Sequence, residues 1–216
     1  MSESEIADFE QALLSLDQVT ATRLLRQSCL ERSPQAPFED VVIPALVRIG
    51  AGWEAGSVSL AQVYMSGKMC QRLIAALPPT QIAPRSNQPR MAIGILEDSH
   101  VLGKQIVVQM LLSAGYSVAD WGARLSVDDL VSGVVRERIE VLFISVLMLR
   151  SALLVAQVRD ALDQQGEHPI LIVGGAPFRF DPALASEVGA DFVGRSASDA
   201  LAILAELAST KGRTPR

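Results

Sequence analysis

The sequence predicts a small helical unit followed by an open parallel α/β sheet, and three observations carry that reading. Apolar residues recur at helical spacing through residues 1–77. From Met91 onward, short apolar runs of strand length alternate with helical segments. Between the two lies PPTQIAPRSNQPR, residues 78–90, with Pro78, Pro79, Pro84 and Pro89 and little to bury. The expected organisation is a helical domain over 1–77, a linker over 78–90 and a sheet domain over 91–216.

The elements follow in order. Ile6, Phe9, Leu13 and Leu16 mark a first helix. Asp17 is placed to cap a second, which carries Val19, Leu24, Leu25 and Leu30. Pro34 and Pro37 break the chain. A third helix carries Val41, Val42, Leu46, Val47 and Ile49, with Pro44 in its first turns and Gly52, Trp53 and Gly56 at its end. A fourth runs from about Ser59 to Leu77 and stops at Pro78-Pro79. Four apolar-striped helices with short connections predict an antiparallel four-helix bundle. In the second part the strand runs are Met91–Leu96, Tyr116–Asp120, Val141–Ser145, Ile170–Val173 and Asp191–Val193. The helical segments between and after them centre on Gln105–Leu112, Val127–Arg136, Leu153–Gln164, Pro182–Val188 and Ala197–Leu207. Alternation of this kind implies right-handed crossovers, and five strands without a long insertion fit the flavodoxin-like (Rossmann-like) order 2-1-3-4-5.

Composition narrows the function classes. Of 216 residues 49% are hydrophobic but only 5% aromatic, so a sizeable core is built mainly from Ala, Leu, Val and Ile. The net charge is −5 and no run of Lys and Arg interrupts it, which argues against a nucleic-acid partner. No apolar stretch reaches the ~20 residues of a membrane helix. The opening MSESEIADFE is unlike a signal peptide. Cys29 and Cys70 form no C-x-x-C and read as idle thiols in a reducing cytoplasm.

In such a sheet a ligand sits outside the carboxyl ends of the strands, where the order reverses between strands one and three. Three segments line that place: EDSHVLG (97–103), Ser145-Val146-Leu147, and Gly174-Gly175-Ala176-Pro177. His100, one of two histidines, therefore falls at the expected site, whereas His168 in QQGEHPI falls at the opposite edge and reads as a solvated loop residue. A phosphate-accepting receiver needs an Asp where Ser145 stands. FISVL is not the G-x-S-x-G of a hydrolase elbow. Gly174-Gly175 is not G-x-G-x-x-G, and no histidine pair is spaced for zinc. Two readings remain for EDSHVLG. One is an ordinary polar turn. The other is a single metal ligand, with Asp98 accepting from one ring nitrogen of His100 and freeing the second. One protein ligand does not hold a bare ion, but it suffices for a metal already held in a macrocycle. Gly103 and the Gly174-Gly175 pair would clear two walls of a crevice for a long inserted group.

The set D-x-H-x-x-G (Asp98, His100, Gly103), S-x-L (Ser145, Leu147) and Gly174-Gly175 resembles the signature of cobalamin-binding domains. The preceding bundle is similar to the cap module of corrinoid proteins in methyltransferase systems, and GGAPF and GADFVG resemble segments of those proteins. The resemblance thus extends over the whole chain. It implies a base-off, His-on cofactor, with His100 as the lower cobalt ligand and Asp98 orienting it. It also implies that Ser145 joins that relay or touches the benzimidazole, that Leu147 packs on the tail, and that the three glycines admit it. Ser99 belongs to the same binding loop, and Tyr64 and Met65 are candidates to line the upper corrin face, although Tyr64, Met65 and Met69 suit the bundle core as well. Trp53 reads as core.

What the resemblance implies for function is a cytoplasmic methyl carrier, not a catalyst in its own right. It would cycle between methylcobalamin and Co(I) cobalamin, loaded by a substrate-specific methyltransferase, discharged by an acceptor methyltransferase and restored by a reductive activase. The alternative is a stand-alone cobalamin-dependent light or redox sensor or antirepressor. Photoreceptors of that class carry Glu-His ten residues after a Trp, where this chain has Val63-Tyr64 after Trp53. Two departures stand out: Glu97 replaces the glycine usual before the motif's Asp, and Leu149 replaces a hydroxyl residue common two places after S-x-L.

Overall fold

The computed structural model describes residues 3–31, 37–77 and 85–211, and the chain divides into two compact units, Met1–Gln81 and Ile82–Arg216. The first is helical. It comprises α1 (Glu3–Leu14), α2 (Gln18–Glu31), a π-helical turn (Pro37–Val42), α3 (Ile43–Glu54) and α4 (Leu60–Ala75). Asp17 accepts the Thr20 amide at 3.0 Å, as a cap should. Pro44 sits at the start of α3, where a missing N–H costs nothing. Ser59 and Gln62 close a reciprocal capping box on α4. Phe9, Leu13, Leu25, Phe38, Ile49, Leu73 and Ile74 fill the interior. Val19, Leu30 and Val47, counted in the apolar stripes, instead lie exposed. Pro34 and Pro78-Pro79 lie outside the described residues.

The second unit is the expected parallel sheet. Its strands are β1 (Met91–Ile95), β2 (Ala119–Asp120), β3 (Val141–Ser145), β4 (Ile170–Gly174) and β5 (Phe192–Gly194), and they pair all-parallel in the order β2-β1-β3-β4-β5. Every residue of β1 is buried, as a central parallel strand covered on both faces requires. On one face, α5 (Leu102–Ser113) and α11 (Ala197–Lys211) pack over Met91, Ile93, Phe143 and Ile172. On the other, α6 (Val127–Glu137) and α8 (Val155–Gln164) cover Ala92, Leu142, Ile144 and Leu171. Three short helices complete this unit: α7 (Leu149–Leu153), α9 (Ala176–Phe180) and α10 (Leu184–Glu187). No helix among the described residues is long and apolar enough to cross a membrane.

Several boundaries shift by one or two residues from the pattern in the sequence, and two differences are larger. The second strand was expected from Tyr116, but only its last two residues pair with β1. The preceding residues are engaged elsewhere: the Ser117 amide donates to the Gln88 side chain at 2.7 Å, and the Arg85 guanidinium lies 4.4 Å from the Tyr116 ring centroid. The same contacts change the reading of the linker. Arg85 also donates to the Ala114 carbonyl, and Arg90 to the Arg138 carbonyl at 2.7 Å, so residues 85–90 are fastened to the sheet unit. A proline-rich composition shows that a segment lacks a core of its own, not that it lacks partners.

Leu130 on α6 is fully buried against the strands. Leu130→Ala is expected to lower stability by about 2–5 kcal/mol, read as a shift of the urea midpoint.

Candidate functional site

The carboxyl ends of the strands converge on one row. In the sheet register Ile95 lies beside Ser145, Ser145 beside Gly174, and Gly174 beside Gly194. Alternation along each strand puts this row on the face covered by α5 and α11. Three of its four residues are Ser or Gly, so the sheet has a floor without bulk between those helices. Gly103, in the first turn of α5, adds no wall either: a Cβ built there meets nothing within 4 Å. Gly175 is required for another reason. Its φ is +129°, and a Cβ would stand 1.6 Å from the Val146 carbonyl oxygen.

At the head of the row the loop after β1 is organised by one carboxylate. Asp98 Oδ1 accepts the Ser99 amide at 2.6 Å, the His100 amide at 3.1 Å and the His100 Nδ1–H at 2.5 Å. Oδ2 accepts the amides of Leu147 and Met148, at 2.8 and 3.2 Å, from the loop after β3. The Asp98 side chain is 2% exposed and the His100 side chain 55% exposed. Burial alone would raise the Asp98 carboxyl, but the His100 ring and the converging amides stabilise the charge and hold it at about 2. Because Nδ1 donates to Asp98, the neutral ring keeps its lone pair on Nε2, on the side chain that stands open.

The residues singled out in the sequence fall into three groups. Asp98, Ser99, His100 and Leu147 form one network, with Ser99 and Leu147 contributing their backbone amides. Gly103, Ser145, Gly174 and Gly175 line the adjoining floor and walls. The hydroxyl of Ser145 is not a partner of Asp98, so the relay runs through the Leu147 and Met148 amides instead. Tyr64 and Met65, with Trp53, belong to the first unit and are exposed there; of the residues given a core role, Met69 is buried and Trp53 is not. Leu147, Met148 and Leu149 are exposed in the segment that follows β3. His168 is an exposed loop residue whose Nδ1 lies 3.1 Å from Asp163.

Two contributors escaped the sequence reading. Gly194, the last residue of the GADFVG segment, is placed in the row by its register with Gly174. Lys104 is buried in the first turn of α5 and paired with Asp120. The signal for Lys104 was a cation among apolar neighbours at a helix start.

An oriented, exposed histidine at the switch point of a parallel sheet, beside a floor of mostly small residues, is an arrangement that could meet the metal of a long cofactor. The family model of the B12 binding domain matches residues 91–205, and a second B12 binding domain model matches residues 5–77. The chain belongs to the B12-binding family. It is 28% identical over 208 residues to a trimethylamine corrinoid protein of Methanosarcina barkeri, an alignment covering 93% of this chain and 94% of that one. To a dimethylamine corrinoid protein of the same organism it is 27% identical over 213 residues, covering 96% and 99%. Its fold matches the structure of the Methanosarcina barkeri monomethylamine corrinoid protein with a TM-score of 0.77 at 21% identity, over 95% of this chain and all of that one.

The depressed carboxyl has a pH signature. Asp98 binds its proton more weakly folded, at about 2, than at its ordinary 3.8. Its contribution, about 2 kcal/mol, is present above pH ~4 and lost as pH falls towards 2. Asp98→Asn should therefore flatten the fall of the urea midpoint between those pH values; parallel curves would remove Asp98 as its cause. Gly175→Ala should lower the midpoint at neutral pH too, because backbone must move to admit the methyl group.

Proposed function

We propose that the protein is a corrinoid methyl carrier that holds cobalamin base-off with His100 as the lower axial ligand. The observation that carries this is the Asp98–His100 pair at the head of a floor built from Ser145, Gly174 and Gly194. Bound cobalamin would supply the chemistry, a cobalt that takes up and releases a methyl group.

The chain's own residues would do the rest. His100 offers Nε2 to the metal. Asp98 keeps the ring in the tautomer that leaves Nε2 free, and the four amides keep Asp98 ionised. The floor and Gly103 leave room for the nucleotide tail, with Leu147 at its mouth. Tyr64 and Met65, both exposed on the helical unit, are the candidates for the upper face of a corrin ring. Such a carrier would be served by separate enzymes: a substrate-specific methyltransferase, an acceptor methyltransferase and a reductive activase. Similarity to methylamine corrinoid proteins supports this reading. A cytoplasmic location follows from such partners.

Loading with hydroxocobalamin should give stoichiometric binding and a spectrum without benzimidazole on cobalt; benzimidazole retained there would remove His100 from its axial role. His100→Ala should leave cobalt without a protein nitrogen. The Cβ that Gly103→Val adds meets no neighbour within 4 Å, so the apoprotein should stay folded, with a melting temperature close to wild type, while cofactor uptake falls at least ~10-fold. Undiminished uptake would place the tail elsewhere. The loaded protein, reduced and given its cognate methyltransferase, should take up one methyl group. Light-driven dissociation of an oligomer carrying adenosylcobalamin, with no methylation, would favour the sensor.

A further inference from the structure

His100 lies on a loop whose two ends are fastened to one other segment, the turn Asp120–Leu125 that leaves β2. At the start of the loop, the Arg124 amide donates to the Asp98 carbonyl and the Glu97 amide to the Leu125 carbonyl, both at 2.9 Å. At its end, Lys104 Nζ bonds Asp120 Oδ1, an oxygen that also accepts the Gly122 amide at 2.9 Å. The turn is tied to β1 as well, through Leu125 N–H to Ile95 O at 3.0 Å and Ile95 N–H to Gly122 O at 3.2 Å.

Three residues here contradict local preference. Lys104 buries a cation, its side chain 5% exposed, at the positive end of a helix dipole. Glu97 and Arg124 hold left-handed backbones, at φ 43° and 61°, without being glycine. Such choices persist only where the surroundings determine them, and they gather at functional sites. All three bracket the same loop.

We infer that Asp120–Leu125, with Lys104, is a positioning frame that sets where His100 stands over the cofactor crevice. The inference rests on the reading of His100 as axial ligand. Asp98 orients the ring within the loop. The frame fixes the loop itself, at Asp98 on one side of His100 and at Lys104 on the other. Fixing both ends limits the travel of a ring that must meet a cobalt centre held by a tail several residues away. Lys104, Asp120 and Arg124 touch no cofactor in this account; they act through His100.

The test uses the full chain loaded with cobalamin and reduced, and reads the splitting that an axial protein nitrogen imposes on the cobalt paramagnetic resonance, with isotopically labelled histidine as the marker. Lys104→Met keeps the volume and removes the staple. Its apoprotein should melt within a few degrees of wild type, while the histidine-ligated fraction falls and the cobalamin Kd rises about 10-fold, as for other groups that orient a metal ligand. The exchange of Lys104→Asp with Asp120→Lys should restore ligation. Arg124→Pro removes the amide and the left-handed backbone and should lose ligation; Arg124→Gly keeps the amide and should regain it. A wild-type ligated fraction in both Lys104→Met and Arg124→Pro overturns the frame. So does a Lys104→Met chain that fails to fold, since the pair would then determine the fold and not the ligand's position. If only Arg124→Pro fails to fold, Lys104→Met decides. Failure of the wild-type chain to bind cobalamin would instead sink the carrier reading, a distinguishable result.

Discussion

One carboxylate organises the site. Asp98 is buried at the mouth of the sheet, and it stays ionised because four amides and an imidazole converge on it. A buried charge with fewer partners would take up a proton and lose its grip on the ring. The amides come from two strand ends, so the carboxylate also joins the loop after β1 to the loop after β3. Orientation of His100 and closure of the switch point are therefore one interaction. A change at Leu147 or Met148 that turned either amide away would reach His100 through Asp98.

The parallel sheet makes this arrangement economical. All five strands point their carboxyl ends the same way, so loops far apart in sequence meet at one edge. Register then decides what faces the space between α5 and α11. A large residue at Ser145, Gly174 or Gly194 would put bulk in the same row. A Cβ at Gly103 would meet nothing within 4 Å, as is also true of Gly50 in α3 and Gly67 in α4. The cost of Gly103 in helix propensity, about 1 kcal/mol, has no compensation in the chain's own packing.

Most of the sheet unit was legible in the sequence because its strands are buried on both faces and its helices are striped. The order of strands, the loop with His100 and the glycine pair all followed from period and topology. The helical unit was less legible. Trp53, Tyr64 and Met65 fall at helical spacing among apolar residues, and a stripe alone does not tell a buried face from an exposed patch. Helix α4 buries Met69, Cys70, Leu73 and Ile74 and leaves Tyr64 and Met65 outside, a distinction set by which neighbours pack against it. The turn Asp120–Leu125 was hidden for a different reason. Most of the bonds that tie it to the His100 loop and to β1 are made by backbone groups, which leave little mark in the residue pattern.

Glu97 shows how a departure from the family pattern is absorbed. Glycine is usual there, and the structure gives the reason: φ is 43°, in the left-handed region. A glutamate in that conformation costs roughly 1–2 kcal/mol. The backbone is held nonetheless from two sides, since its amide donates to Leu125 and its carbonyl accepts the buried Ser151 hydroxyl at 3.3 Å. Its carboxylate reaches toward Arg150, 3.9 Å away on an exposed side chain, a pairing too solvated to offset much. The strain is therefore retained and not cancelled, and it sits one residue before Asp98. A loop held under strain at its entry and by Arg124 and Lys104 beyond it has little freedom to relax. Those contacts, and not the intrinsic preference of residue 97, determine the path of the chain.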